Sequence, residues 1–310
     1  MIKNILLTGA TGFTGSHLLG GLLNAGYRVI VLKRSTSDTW RVAEYLMNIK
    51  TYNIDLQPLD LPFKENQIDC VIHLATHYVK FHANIEDVDK IMDFNITTAT
   101  KILELAVEHH VPHFLNTGSF FEFKMKNTPI KEGDARIGYN LYASAKIAFD
   151  EITKYYAHNF DIKVIDLKLF SPYGEKDKTK VFVFLIKSLL ENRKIDFSGG
   201  EQSWNFTYIK DIIDAYLKAL YYFENDFEYE TFNIGRNDVH SLRECVNVIE
   251  NVSGKKIDIT FGEKPYVKNE IFYANCDNSK AKKLLGWEPQ YDLETGLALM
   301  YDHYKNNPSI

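Results

Sequence analysis

Cysteine is scarce. The 310 residues hold three, Cys70, Cys245 and Cys276, an odd number, widely spaced and with no C-x-x-C. That excludes a disulfide scaffold and a zinc knuckle, and it fits a reducing, cytoplasmic setting. No apolar run approaches the roughly 18 residues of a membrane-spanning helix. The opening run after Lys3, "NILLTG", is too short for a secretory signal and leads straight into glycines. It is expected to be the first strand of the mature protein. Positive charge is not in excess: 36 Lys and Arg stand against 41 Asp and Glu, which leaves no basic footprint for nucleic acid. Repeats and low-complexity stretches are absent. His73, His77 and His82, and again His109, His110 and His113, have no carboxylate or cysteine at a ligating interval, so no metal is expected.

What is present is an ordinary globular composition, 45% hydrophobic and 25% charged, at a length that suggests about two lobes. Near-continuous apolar runs at 4–9, 28–33, 69–75, 113–119 and 162–170 read as strands buried on both faces. Helical patterns at 16–26, 88–109 and 143–157 alternate with them. That order predicts an α/β fold, a Rossmann-type doubly wound parallel sheet. After Pro172 the character changes, with helical patterns at 180–192, 210–223, 241–252 and 279–287. The expected division is a dinucleotide-binding domain over 1–172, with a return segment near 205–235, and a smaller substrate lobe over 173–204 and 236–310.

Gly9, Gly12 and Gly15 stand between the first strand and the first helix, in "TGATGFTG". Gly9 can make the tight turn, Gly12 can admit a pyrophosphate, and Gly15 can let helix and strand close up. The helix N-terminus adds unpaired N–H groups for phosphate, with Thr11 and Phe13 beside them. At the end of the second strand, where an acidic residue would bond the ribose 2′-hydroxyl of NAD, stand Lys33, Arg34 and Ser35. Two cations beside a hydroxyl suit a 2′-phosphate and favour NADP over NAD; the other reading is a solvated surface loop. Asp55 and Leu56, after the third strand, are candidates for the adenine, with Asp55 accepting from its amino group or serving as a polar turn. Leu74, Ala75 and Thr76 follow the fourth strand toward the cofactor.

Tyr142 and Lys146 form Y-x-x-x-K in "YASAK". Four residues apart on a helix, they share a face. A lysine beside a phenol is expected to lower its pKa and let it exchange a proton with a substrate oxygen. Ser119 ends the fifth strand, where open α/β sheets place their chemistry. His77 follows the fourth strand at the same edge.

Taken in order, "TGATGFTG", "VIHLAT", "DFNITTATKILELA", "TGSFF", "YASAK", "LKLFSPYG" and "KAKKLLGW" resemble the extended short-chain dehydrogenases/reductases, the NAD-dependent epimerase/dehydratase family, over nearly the whole chain. Several segments are most similar to its 4-ketoreductases of the CDP-abequose synthase type. The resemblance implies Tyr142 as proton donor, Lys146 as its electrostatic partner, Ser119 as hydrogen-bond donor, Ala75 in the nicotinamide pocket and Asn95 positioning the catalytic neighbourhood. It implies Ser171 near the substrate and a homodimer, with helices near 88–109 and 143–157 as candidates. The implied activity is NADPH-dependent reduction of a 4-keto nucleotide sugar, in deoxyhexose synthesis for surface lipopolysaccharide. A nucleotide-sugar 4-epimerase with retained NAD and a dinucleotide-binding regulatory protein are the alternatives.

Two departures matter. The family's 4,6-dehydratases carry an Asp–Glu pair after the catalytic Ser/Thr; Phe120 and Phe121 stand there, and phenyl rings carry no proton. They can line a deoxygenated sugar edge or fill core. Where many relatives have an Arg that clamps diphosphate, this chain has "QSWNFTYIKD". Either Lys264 or Lys268 is then a candidate to meet phosphate, or Trp204 to stack a base.

Overall fold

The computed structural model describes residues 2–308, so Met1, Ser309 and Ile310, at the ends of the two expected regions, lie outside the described residues. Seven strands form one parallel sheet: β1 (Asn4–Thr8), β2 (Arg28–Lys33), β3 (Lys50–Asn53), β4 (Cys70–His73), β5 (His113–Ser119), β6 (Lys163–Leu169) and β7 (Tyr229–Ile234). Their order is β7-β6-β5-β4-β1-β2-β3. Chain order runs outward from β1 to β3, then returns to β4 and continues the other way. The reversal lies between β1 and β4, where an open α/β sheet forms its ligand crevice.

Side chains alternate across the sheet and feed two cores. Ile5, Leu7, Val29, Val31 and Ile72 point into one, with Leu18 and Leu22 of helix α1 (Phe13–Asn24). Leu6, Ile30, Leu32, Val71 and Phe114 point into the other, with Ile102 and Leu103 from beyond β4. Burial on both faces explains why these strands read as unbroken apolar runs.

The expected helix at 88–109 is three pieces: α2 (Ile85–Met92), a π-helical turn at Asp93–Thr98, and α3 (Ala99–Glu108). The helix that carries Tyr142 and Lys146, α4 (Leu141–Asn159), starts one residue before Tyr142 because the Asn140 side chain accepts the Ala143 N–H and caps it. Beyond β6 come α5 (Val181–Leu190), α6 (Ile209–Tyr222), α7 (Leu242–Ser253) and α8 (Leu293–Asn306). Residues 279–285 are helical, within the expected 279–287, running into a π-helical turn at Ala281–Leu285 that Gly286 closes in the left-handed region. Short pairings (195–197 with 259–261, and 203–204 with 240–241 and 273–274) tie the later chain together. β7 and α8 were not anticipated from the sequence. Among the described residues no helix is long and apolar enough to cross a membrane.

The turn after β1 is built by direct backbone contact. Gly9 adopts φ +73°, and a Cβ there would sit 2.6 Å from the Ala75 nitrogen. A Cβ on Gly15 would fall inside the contact radius of the Gly9 carbonyl oxygen. Gly15→Ala is therefore expected to cost about 3 kcal/mol, the upper range for overpacking. A urea unfolding curve on purified G15A checks this.

Candidate active site

A cavity of about 1050 Å³ opens along the carboxyl edge of the sheet, from the β2 end to the β5 and β6 ends. Thr8, Lys33, His73, Ser119 and Leu169, which end five strands, all line it. Its glycine side is the turn from Gly9 to Gly15, where Gly12 N–H donates to the Gly9 carbonyl at 3.0 Å. No side chain caps α1 and no acidic residue occupies its first turn, so its N–H groups face the cavity as an anion site. A dinucleotide fits this wall: Gly9 and Gly15 admit no side chain, so bare backbone N–H groups face the cavity, and the field there is positive.

Of the expected cofactor residues, Gly9, Thr11, Gly12, Phe13, Gly15, Lys33, Arg34, Leu74, Ala75 and Thr76 line the cavity. Lys33 Nζ donates to Asn53 Oδ1 at 2.9 Å, while the exposed Arg34 guanidinium lies over the Phe94 ring. Ser35, Asp55 and Leu56 do not line it. The Asp55 carboxylate is occupied by the Ser35 N–H and hydroxyl, at 2.8 and 2.6 Å, and those two bonds hold its pKa below the usual range. Leu56 is 70% exposed beyond that turn. Asn95 is also outside the lining and acts on the loop: its Oδ1 accepts Thr76 Oγ1 and His77 N–H, and its Nδ2 donates to His77 O. The π-helical turn containing Asn95 turns that side chain toward the end of β4.

At the other end Ser119 and Tyr142 line the cavity together. The Ser119 hydroxyl accepts the Phe121 N–H at 3.3 Å and stands near enough to the phenol to favour its ionised form. Tyr78 packs edge-on against Tyr142, ring centroids 4.9 Å apart. Lys146, 3% exposed, sits behind them with Nζ on the Thr117 carbonyl at 2.9 Å. The expected lowering of the phenol pKa is not found. Burial pushes Tyr142 up, the negative charge of Glu122 adds to this, and Ser119 only partly offsets it. Burial likewise lowers Lys146, against the pull of Glu122 and Asp166. At neutral pH Tyr142 therefore holds its proton firmly, as an acid must before it donates.

Phe120 and Phe121 line the cavity with ring centroids 4.3 Å apart, and Trp204 meets both. The Trp204 indole N–H is committed to the Ile271 carbonyl at 2.7 Å, so only its ring faces are free to stack. Ser171 also lines the cavity, in a strained conformation (φ +36°) and with its buried Oγ unpartnered. His77 lines it with Nε2 likewise unpartnered. Lys268 is exposed and outside the cavity. Sequence reasoning missed Arg41, in a 3-10 turn, Lys180, at the start of α5, and Tyr78, in the loop after β4, which line the cavity from positions that carry no spacing signal. It also missed Glu122, although Ser119-x-x-Glu122 has the spacing of a capping box. Among the described residues no cluster of metal-ligating side chains is found.

The family model described as the NAD dependent epimerase/dehydratase family matches residues 5–235. The CDP-abequose synthase of Salmonella muenchen is 30% identical over 309 residues, covering 96% of this chain and 97% of that protein. A UDP-glucuronate 4-epimerase of Thermodesulfobacterium geofontis is 29% identical, covering 97% and 96%. The crystal structure of UDP-glucuronic acid 4-epimerase from Bacillus cereus, in complex with UDP-glucuronic acid and NAD, superimposes with a TM-score of 0.87 at 28% identity, covering 98% and 99%.

His73, beneath this wall, bonds Thr8 Oγ1 at 2.9 Å and is fully buried, which pushes its pKa down to about 3, with Lys146 contributing. In the unfolded chain it titrates near 6.5. Its contribution to stability is thus present above pH 6.5 and is lost as pH falls toward 3. His73→Asn is expected to flatten the fall in unfolding free energy over that window, measured by urea titrations at successive pH values.

Proposed function

The chain belongs to the NAD dependent epimerase/dehydratase family, and on that premise we propose that it reduces a 4-keto group on a nucleotide-linked deoxysugar with NADPH. The observation that carries this reading is one cavity lined by the glycine turn, by Ser119 and Tyr142, and by two phenyl rings where a dehydratase needs carboxylates. The glycine turn and the α1 N-terminus would hold the pyrophosphate, and Lys33 and Arg34 the 2′-phosphate. When bound, the reduced nicotinamide supplies a hydride. Ser119 holds the ketone oxygen by a hydrogen bond. Tyr142 donates its phenolic proton to that oxygen as negative charge develops there. Lys146, protonated, steadies the phenolate left behind. Phe120, Phe121 and Trp204 exclude water and pack against the apolar edge of a sugar that has lost hydroxyls. Ser171 and His77 offer unpartnered polar atoms to the rest of the substrate.

In this reading residues 1–172 and 205–235 hold the cofactor, and 173–204 and 236–310 close over the sugar nucleotide in a cytoplasmic enzyme. Two copies pair through the helical region at 88–109 (the end of α2 with α3) and α4, which carry the exposed Met92 and Tyr155. The second reading is a 4-epimerase that retains NAD; it is favoured by the likeness to the Bacillus cereus epimerase.

The test is NADPH oxidation with 4-keto CDP-, dTDP- and GDP-deoxysugars, with NADH in parallel. Turnover of one of them, faster with NADPH, is the expected result. Interconversion of saturated nucleotide sugars by protein with tightly bound NAD would transfer the case to the epimerase. Tyr142→Phe should lower kcat by about 100-fold or more with NADPH affinity unchanged. Arg34→Ala should weaken NADPH about tenfold and leave NADH unaffected, since it removes one charge-assisted phosphate contact.

A further inference from the structure

Directly beneath Ser119 lies a buried group of charges that the mechanism above does not use. Glu122 is fully buried, and Lys168, Asp166 and Asp150 are each at most 2% exposed. Lys168 Nζ bonds Glu122 Oε2 at 2.5 Å and Asp166 Oδ2 at 3.0 Å. Arg136 pairs with Asp150 and stands 3.9 Å from Glu122. Burying such an array rarely adds net stability, because desolvation offsets the Coulomb gain. Its geometry has a target, however. The other Glu122 oxygen, Oε1, accepts the Ser119 N–H at 2.7 Å, and Ser119 Oγ accepts the Phe121 N–H at 3.3 Å. Ser119 is held in extended backbone (φ −148°, ψ 145°), and a single 3-10 turn, Phe120–Glu122, follows it.

The packing leaves no slack. A Cβ on Gly118 would lie 2.5 Å from Lys168 Cδ, 2.6 Å from Asp166 Oδ1 and 2.8 Å from Glu122 Oε1. The backbone at 118–119 therefore rests on the charged group itself. Glu122 does not line the cavity, so it does not touch substrate; its direct contact with the site is the Ser119 backbone, and its charge also reaches Tyr142 and Lys146.

We infer that Glu122 is a positioning residue of this site: one carboxylate oxygen, anchored from behind by Lys168, fixes the Ser119 backbone so that its hydroxyl is presented beside the Tyr142 phenol. The inference rests on the ketoreductase reading for its kinetic consequence, but its structural consequence needs no substrate.

The test compares wild type with two double variants. E122M/K168M removes both charges at similar side-chain size and leaves the Ser119 N–H without an acceptor. E122Q/K168M removes the charges and keeps the acceptor. The expected result for E122M/K168M is amide hydrogen exchange at Ser119 about tenfold faster and kcat about 100-fold lower, with KM and NADPH affinity near wild type. E122Q/K168M should restore both to within about threefold. Wild-type exchange and kcat in E122M/K168M would overturn the inference, as would a Gln variant no better than the Met variant. Should the Met variant not fold, E122D decides: it keeps the charge but shortens the reach, and should show the same two losses. If wild type turns over no ketosugar, the reductase reading fails by itself, and Ser119 exchange still decides the role of Glu122.

Discussion

Backbone lying directly on backbone around Gly9 is the constraint from which the cavity follows. The Gly9 carbonyl meets the α-carbon of Gly15 on one side, and the Gly9 α-carbon meets the chain leaving β4 on the other. Those contacts seat α1 against β1 and bring the ends of β1 and β4 together at the reversal of strand order. Thr8 completes the join, with Oγ1 bonding His73 and accepting the Leu74 and Ala75 N–H groups at 3.2 and 3.1 Å. The anion-binding wall and the buried His73 are thus two sides of one packed junction.

Charge at the site is managed by burial more than by pairing. Loss of water raises the Tyr142 phenol and lowers the Lys146 ammonium, so the two move away from each other rather than toward a shared proton. Negative charge behind them, on Glu122, opposes the lowering of Lys146 but adds to the raising of Tyr142. The protein without ligand therefore stores a protonated acid, and a bound cofactor that displaces water and carries its own charge would act on both groups.

Features set by local chemistry were readable from the sequence. The glycine spacing, the strand-end Ser119 and Tyr142 all reach one cavity, with Lys146 directly behind, because each is fixed relative to a strand end or a helix start. Features set by distant pairing were not. β7 joins β6 across some 60 residues, and nothing in "YETFNI" names its neighbour. The π-helical turn at 93–98 breaks a helix whose apolar pattern runs on unbroken. Asp55 sits where an adenine contact belongs, yet Ser35 takes its carboxylate, a rivalry between side chains that spacing does not record. Arg41 enters from a short 3-10 turn, held by the carbonyls of Thr11 and Lys176, both of which accept from it.

The missing side chain at Gly118 bears on how such a site drifts between relatives. Because the backbone there touches Lys168, Asp166 and Glu122 at once, none of these positions can change size independently. A larger residue at 118 demands a smaller partner on β6, and an apolar residue at 122 leaves the buried Lys168 ammonium with Asp166 as its remaining hydrogen-bonded carboxylate. The four positions form one epistatic block split between β5, the turn after it and β6. A chimera that exchanges β5 alone with a relative inherits half of the block, whereas one that carries the chain from β5 through β6 keeps it whole.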